Sequence, residues 1–188
     1  SLGAFSECPS LKEVNFEKAV QLIDSQAFYA TGLESITLPN SEVTLGDYVF
    51  YKSEGLKTVK LGANTKIAEI KGSLFEGTNL TTFEVDSANA NYALSQDGKI
   101  LENKEGNAII LVVTNIGENY TVDEKYTSIG KSAFSGSNVV TLTINNKDLV
   151  LGEYAFIGAK NLTTVNLPEE SGFVIGAYAF SEAPALTT

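Results

Sequence analysis

The 188-residue sequence contains no histidine, no methionine, no tryptophan and a single cysteine. Without histidine, an imidazole-based catalytic triad, a histidine-ligated metal and an imidazole pH switch are all excluded. One cysteine cannot form an internal disulfide. Cys8 occupies a place that other copies of the repeat described below fill with serine or alanine, so we expect a small buried side chain there. We expect no cofactor and no metal.

Positive charge and long apolar runs are also scarce. Thirteen basic residues against twenty-three acidic ones give a net charge of −10, which repels a nucleic-acid backbone or an anionic bilayer. No apolar run approaches the roughly 18 residues that a membrane-spanning helix needs. The sequence therefore argues against nucleic-acid binding and against membrane insertion by this segment. Its hydrophobic content of 43% is typical of a folded protein.

An internal repeat dominates the sequence. Phenylalanine recurs in steps of 23, 22, 25, 59, 22 and 24 residues, at Phe5, Phe28, Phe50, Phe75, Phe134, Phe156 and Phe180. An apolar anchor follows each one after five or six residues, and in six copies the anchor begins the pattern L-x-x-V-x-L. This alternation is typical of a strand with one buried face, and the period of about 23 residues is typical of a solenoid.

The repeat predicts the fold. Each copy reads as a short strand, a turn, a second extended stretch and a tight corner at the phenylalanine, and only stacked copies can bury their apolar faces. We predict a single β-rich solenoid over residues 1–188, a right-handed array with repeats of 22 to 25 residues. Seven strands are predicted to be neighbours in one parallel sheet, in the order of their last residues: Phe16, Leu38, Leu61, Val85, Val122, Ile144 and Leu167. Because the chain begins within a repeat, we expect it to be a fragment of a longer one.

The 59-residue step indicates an insertion. We predict that residues 86–118 form a modified repeat, in which a β-hairpin replaces the phenylalanine corner. Residues 99–102 and 108–113 are strand-like, and the intervening "NKEGN" is a turn signal. Val122 resumes the ladder in phase, so one interrupted solenoid explains the gap better than two domains.

Gly130-Lys131-Ser132 resembles the tail of a phosphate-binding loop. The first glycine of such a loop is absent, and Lys131-Ser132 fills a place that holds Glu-Tyr at 153–154 in another repeat. We interpret these residues as variable surface residues at a repeat corner. Exchanging them for Glu-Tyr is then expected to leave folding nearly unchanged, and no nucleotide is expected to raise the melting temperature.

Two surfaces could bind a partner. The first is the outward face of the strand ladder, which is rich in threonine: Thr37, Thr58, Lys60, Thr82, Glu84, Thr141 and Thr143 belong to it. The second is a set of tyrosines two residues before the repeat phenylalanine, namely Tyr48, Tyr154 and Tyr178, with Tyr29 and Tyr51 just after it. Threonine is also simply a good exposed strand former, and tyrosines can pack between repeats, so both surfaces have purely structural interpretations.

The recurring "IGxxAFxxxxxLxxVxLP" resembles the repeat of the BspA-like leucine-rich repeat family of bacterial cell-surface proteins. The stretch "ANYALSQDGKILENKEGNAIILV" is similar to the hairpin-bearing unit of that family. The resemblance covers essentially the whole chain. It implies a leucine-rich repeat solenoid, an extracellular or cell-surface location, and a role in adhesion or protein interaction, and it supplies no catalytic residues.

Two functional hypotheses follow. The first is a non-enzymatic surface module that binds a host or microbial protein. The alternative is a glycan-binding accessory module or a carboxylate-based glycosidase. The adjacent carboxylates Asp123-Glu124 and Glu169-Glu170 lie in predicted turns, where such pairs are usually solvated, and glycosidase chemistry would need a cleft around them.

Overall fold

A computed structural model describes residues 1–169 and 172–188. Within these ranges the chain forms short β-strands joined by turns, with no helix. The strands are β1 (Leu22–Ile23), β2 (Ser35–Thr37), β3 (Glu42–Leu45), β4 (Thr58–Leu61), β5 (Lys66–Ile70), β6 (Thr82–Val85), β7 (Tyr92–Leu94), β8 (Ile100–Asn103), β9 (Ala108–Val112), β10 (Asn119–Val122), β11 (Ser128–Ile129), β12 (Thr141–Ile144), β13 (Val150–Leu151), β14 (Thr164–Asn166) and β15 (Val174–Ile175). The chain is a β-solenoid, as the repeat predicts.

Two parallel ladders run along the solenoid. The first ladder holds the strands of the L-x-x-V-x-L pattern, in the orders β2-β4-β6 and β10-β12-β14. The second holds the later extended stretch of each repeat, in the orders β1-β3-β5 and β15-β13-β11-β9-β8-β7. Every pairing between repeats is parallel, and buried residues meet in register, such as Val59 with Phe83 and Val122 with Ile144. Alternating strand residues therefore build continuous internal columns.

The prediction of one unbroken sheet is wrong in two places. Strands β6 and β10 do not pair, so the first ladder consists of two separate three-stranded sheets. The reason is the insertion, which carries the chain away between Val85 and Val122. The stretch ending at Phe16 forms no strand either, because it lies at the end of the described stack.

The predicted hairpin is present, and it brings one strand more than predicted. Strands β8 and β9 pair antiparallel, with Ile100 opposite Val112. Strand β7 adds to the far side of β8, where Tyr92 lies opposite Asn103. Strand β9 continues the second ladder by pairing parallel with β11. The insertion therefore adds two strands to one side of the solenoid.

A buried carboxylate fastens the hairpin to the next repeat. Glu102, on β8, accepts hydrogen bonds from the hydroxyl of Tyr126 and from Lys125 Nζ at 2.7 Å. Burial, reinforced by the Glu102 carboxylate, raises the pKa of the Tyr126 hydroxyl. Burial likewise raises the pKa of Tyr120. Both hydroxyls are therefore held neutral beyond the ordinary pKa of tyrosine, about 10.

Alkaline titration tests this arrangement. The pKa values of the Tyr120 and Tyr126 hydroxyls are higher in the folded state than in the unfolded state. The stabilisation that comes from keeping these hydroxyls protonated is therefore complete below about pH 10 and is lost as the pH rises above it. We expect only part of the eight tyrosines to ionise near pH 10 in the native protein, and the rest to ionise as it unfolds. Tyrosinate absorbance measures this directly, since no tryptophan overlaps. Tyr126→Phe should remove one delayed ionisation, and simultaneous titration of all tyrosines near pH 10 would refute the burial.

The phenylalanine corners form the centre of the core. Their rings stack nearly parallel in two runs, with centroid separations of 5.5, 5.8 and 5.6 Å from Phe5 to Phe75, and of 4.5 and 5.3 Å from Phe134 to Phe180. Within each run, the backbone of one corner also bonds to the next, as in Phe134 N–H to Ala155 O at 2.8 Å. The insertion, which lacks a phenylalanine, separates the two runs.

Cys8 is exposed, not buried as expected. The equivalent residues Ser53 and Ala159 are completely buried, because each is covered by repeats on both sides. Cys8 belongs to the corner at the end of the described stack, where such cover is missing on one side.

Each corner needs unusual backbone angles. Residues two before and two after the phenylalanine adopt positive φ in most copies, including Tyr48, Tyr154 and Tyr178 before it and Gly77, Gly136 and Gly158 after it. Positive φ is rare for residues as large as tyrosine and costs about 1 to 2 kcal/mol per residue. The stacking of neighbouring corners must therefore impose it.

Candidate functional site

The residues of the predicted threonine-rich face lie on two separate sheets. One part of the face lies on β2, β4 and β6 and consists of Thr37, Thr58, Lys60, Thr82 and Glu84. Within it, Lys60 Nζ and a Glu84 carboxylate oxygen form an ion pair of 3.0 Å. Thr141 and Thr143 lie on the separate sheet of β10, β12 and β14. We call these the first and second polar ladders. Their side chains are exposed or half-buried and form two patches instead of one continuous row.

A polar groove of about 260 Å³ opens where the two polar ladders fail to meet. Asn79, Asn115 and Asn138 line it with several threonines, and Asn138 Nδ2 donates to Asn115 Oδ1 at 2.9 Å. Sequence reasoning missed this groove. Asn115 belongs to the insertion, so the repeat spacing does not show that it lies beside Asn79 and Asn138.

The groove beside the open edge of β5 is poorly suited to an added strand. It measures about 340 Å³ and lies between Ile67, Ile110 and Lys131, among others. The Tyr92 hydroxyl accepts from the Ile67 N–H at 2.8 Å and so occupies part of the edge. The register of β3 and β5 also shifts at Ala68. Bulges of this kind protect sheet edges from further pairing.

The candidate tyrosines lie in two clusters. In the first, Tyr48 packs edge to face on Tyr51 at 5.2 Å, and Tyr51 stacks on Tyr29 at 5.6 Å. In the second, Tyr154 and Tyr178 stack at 5.3 Å with planes only 9° apart. The tyrosines thus pack between successive repeats, yet Tyr178 remains 67% exposed.

The two halves of the solenoid approach each other on the corner side. Ser73 and Ser135, one from each half, share a hydrogen bond of 2.6 Å. Glu76, which is only 4% exposed, reaches across to pair with Lys160 Nζ at 2.9 Å. A Cβ on Gly136 would lie 2.5 Å from Glu76 Cα, so the backbones are in direct contact. On the opposite side, the hairpin holds the flanking repeats apart. The solenoid therefore bends toward the side that carries the phenylalanine corners.

This bend creates a cleft of about 200 Å³, lined by Gln26, Tyr29, Tyr48, Tyr51, Glu76 and Glu182. We call it the tyrosine–glutamate cleft. Of its residues, sequence reasoning pointed to the tyrosines and missed both glutamates. A signal was available: the residue two before the phenylalanine is Tyr48, Tyr154 or Tyr178 in three copies, whereas Ser73 and Ser132 fill this place in the two copies that flank the insertion. Small residues at one level of a column indicate close approach.

Negative potential surrounds Tyr48 in this cleft. Burial raises the pKa of its hydroxyl, and the carboxylates of Glu182, Asp47 and Glu76 raise it further. Glu76 is compensated by Lys160. Glu182 forms no ion pair with any residue that the structure describes.

The Gly130-Lys131-Ser132 stretch is a repeat corner with no free amide cradle. The Gly130 N–H donates to Ile109 O at 2.8 Å and the Ser132 N–H to Glu153 O at 3.1 Å, so both are used by neighbouring repeats. Lys131 is partly exposed and pairs with Glu153 at 3.2 Å. Ser132, however, is 0% exposed. The expectation that both residues lie on the surface is therefore wrong for Ser132, which lies at the bend.

This burial changes the expected result of the exchange. Ser132→Tyr should lower the free energy of unfolding by about 1 to 3 kcal/mol, because the larger side chain overpacks the bend. Lys131→Gln, which breaks only a surface ion pair, should cost less than about 1 kcal/mol. Urea melts of the two single variants measure the difference, and equal small losses would contradict the burial of Ser132.

The remaining acidic and amide residues have structural roles. Asp123 and Glu124 are exposed in a turn, whereas Glu170 of the other pair lies outside the described residues. In "DSANANYALSQDG", Asp86, Asn89 and Asp97 accept hydrogen bonds from nearby backbone N–H groups, as Asx turns do. Over residues 1–169 and 172–188 there is no group of three or more potential metal ligands and no helix long and apolar enough to cross a membrane.

Comparison with known structures finds the same fold in bacterial proteins. A leucine-rich repeat protein from Eubacterium ventriosum matches with a TM-score of 0.67 and 19% identity over 98% of this chain. The pneumococcal vaccine antigen PcpA matches with a TM-score of 0.55 and 21% identity over 89%. A leucine-rich cell surface protein from Faecalibacterium prausnitzii matches with a TM-score of 0.52 and 18% identity over 98%. The chain spans 55%, 53% and 62% of those three structures, respectively.

The sequence comparison agrees. No curated protein matches this chain. The model of the BspA type leucine rich repeat region matches six copies, over residues 1–96 and 114–188, and leaves out only part of the insertion. The registered phenylalanine corners, the two parallel ladders and this match lead to one conclusion: the chain belongs to the BspA-type leucine-rich repeat family.

Proposed function

We propose that this chain is a non-enzymatic interaction module of the cell surface, which binds a host or microbial surface protein through a face of the solenoid. The observation that carries the proposal is the pair of polar ladders, which present regular rows of short side chains across neighbouring repeats. Solenoids characteristically use such extended surfaces for binding. A surface location is supported by the description of one structural relative as a cell surface protein.

The first polar ladder suits a protein partner. Its hydroxyls donate and accept, and the Lys60–Glu84 pair places both signs of charge side by side. A partner with complementary polar groups could exchange hydrogen bonds with several repeats at once. Backbone positions in the ladder are fixed by the strand pairing, so little ordering is required on binding.

Glycan binding is the second candidate, and the stacked pair of Tyr154 and Tyr178 supports it. Tyr178 is largely exposed, and an open aromatic face can pack against a sugar ring. The polar groove around Asn79, Asn115 and Asn138 offers neutral amides of the kind that bond sugar hydroxyls.

Selective treatment of target cells separates the two. Binding of the fluorescent domain to epithelial or bacterial cells is measured after surface proteolysis and, separately, after periodate oxidation of glycans. We expect proteolysis to abolish binding and periodate to leave it intact. Thr82→Arg should weaken binding about tenfold or more, the effect of a substitution near the centre of an interface. Glu105→Arg, in the exposed hairpin turn, is the matched control. Loss of binding to periodate alone would favour the glycan hypothesis instead.

A further inference from the structure

The tyrosine–glutamate cleft is separate from the polar ladders, and its walls combine aromatic rings with carboxylates. Tyr48 and Tyr51 meet at an interplanar angle of 73°, so the two rings form adjoining walls. Tyr48 belongs to the first half of the solenoid and Glu182 to the last repeat, and both line the cleft. The bend thus brings together groups that a straight solenoid would keep several repeats apart.

Tyr48 is held there at a conformational cost. Its φ of 53° is rare for a bulky side chain. Backbone bonds fix it in place, from the Tyr48 N–H to Ser73 O at 2.6 Å and from the Tyr51 N–H to Tyr48 O at 3.2 Å. The equivalent corner residues Tyr154 and Tyr178 share this backbone conformation, so the geometry of the repeat corner fixes where the Tyr48 ring lies.

The charge of the cleft favours a cation. Glu182 has no ion-pair partner in the described part of the chain, whereas Glu76 is already paired with Lys160. The tyrosine rings already attract the protein's own ammonium groups: Lys52 Nζ lies 5.4 Å from the centre of the Tyr51 ring, and Lys131 Nζ lies 5.7 Å from that of Tyr154. A cation near an aromatic face and a carboxylate gains from both.

The size of the cleft limits what can enter. Its volume of about 200 Å³ lies below the range of roughly 300 to 1,000 Å³ typical of pockets for whole small molecules. Tyr51 has Tyr29 stacked on it, Tyr48 packed edge to face against it and Lys52 nearby, so it offers little free face to a sugar ring. One extended side chain with a cationic end fits these limits better than a glycan.

We propose that the tyrosine–glutamate cleft receives a lysine or arginine side chain of the partner protein, with Glu182 binding the charge and Tyr48 contacting the cation. The proposal rests on the proposed protein-binding function and names the chemistry of one contact. The overall charge of −10 is consistent with a basic partner segment.

Short peptides test the site without the unknown partner. The probes are acetyl-Gly-Gly-X-Gly-Gly-amide with X as lysine, arginine, glutamine or glutamate, added to the 188-residue chain while the tyrosine ring signals are followed by NMR. We expect the lysine and arginine peptides to shift the signals of Tyr29 and Tyr48, and the glutamine peptide to bind at least about threefold more weakly. Added salt should reduce the difference.

Variants locate the interaction. Glu182→Gln should weaken lysine-peptide binding about threefold to tenfold, and Tyr48→Asn, which tolerates positive φ, should do the same. Glu105→Gln removes another exposed carboxylate, which lies outside the cleft, and should have no effect. The melting temperature of each variant confirms that it is folded. Equal binding of lysine and glutamine peptides, an unaffected Glu182→Gln variant, or shifts of Tyr48 caused only by an oligosaccharide would overturn the proposal.

The two proposals can fail separately. If the peptides bind as expected but binding to cells survives proteolysis, the protein-binding function is wrong, and only the affinity of the cleft for a lysine or arginine side chain stands. If binding to cells requires surface protein but the peptides do not bind, the cleft assignment alone is wrong.

Discussion

Replacing Phe156 with alanine is expected to lower the free energy of unfolding by about 3 to 5 kcal/mol, the usual range for emptying an aromatic core position. Phe156 is completely buried and stacks on Phe134 at 4.5 Å and on Phe180 at 5.3 Å. Its removal leaves a void between two repeats, and the stacked corners on either side cannot close it without breaking their own hydrogen bonds. Urea melts followed by circular dichroism measure the loss.

Phe5→Ala is the matched control for Phe156→Ala. Phe5 occupies the same position in its repeat but is 43% exposed and stacks on one ring only, that of Phe28. Its loss should cost roughly 1 to 2 kcal/mol, in proportion to the smaller area that it buries. A loss below about 1 kcal/mol for Phe156→Ala would mean that the corner column does not hold the repeats together.

The second large effect is expected at Gly136. Alanine there should cost about 2 to 5 kcal/mol, from two sources: about 1 to 2 kcal/mol for a side chain at positive φ, and the remainder from overpacking against Glu76. The φ of Gly136 is 67°, and the new Cβ would lie 2.5 Å from Glu76 Cα, a backbone atom that cannot rotate away.

Gly98→Ala isolates the first source, the cost of a side chain at positive φ. Gly98 has a nearly identical φ of 72°, yet a Cβ added there meets nothing within 4 Å. Its substitution should therefore cost only the backbone term of about 1 to 2 kcal/mol. If Gly136→Ala and Gly98→Ala lower the unfolding free energy equally in parallel urea melts, the two halves are not in contact at the corner.

Much of the fold could be predicted because the repeat encodes it locally. The strand at Leu33 to Leu38 and the corner at Phe50 recur with the same spacing, and each copy needs only its neighbours to bury its face. The hairpin strands were predicted to within one residue at each end, since turn chemistry and alternation both lie within the insertion.

The bend could not be predicted in the same way. The bend depends on how far the insertion separates the flanking repeats on the corner side and on the opposite side of the solenoid. This separation is set by residues that are far apart in the sequence. No sequence pattern singles out Glu76 and Glu182, because they line one cleft only through contacts between the two halves, such as those of Glu76 with Gly136 and of Ser73 with Ser135. The break between β6 and β10 has the same cause: the hydrophobic pattern stays in phase across the insertion while the strands themselves are kept apart.

The bend also explains the burial of Ser132. Its counterparts Tyr48 and Tyr154 are half-buried at corners with more room, and the variation among the copies alone indicated a surface position. Differences between equivalent residues of successive repeats therefore reflect where each repeat lies along the solenoid, as well as how exposed each residue is.

The distance between two spin labels tests the bend most directly. Cysteines replace Gln26 and Glu182 in a Cys8→Ser background, and the nitroxide separation is measured by pulsed electron resonance. Both residues line the tyrosine–glutamate cleft, so a short separation is expected, smaller than that of a reference pair at Thr37 and Asn166 on the polar ladders. A straight solenoid would place Gln26 and Glu182 about 30 Å apart, six steps of about 4.8 Å. A separation near that value, comparable to the reference pair, would contradict the bend and the cleft that it forms.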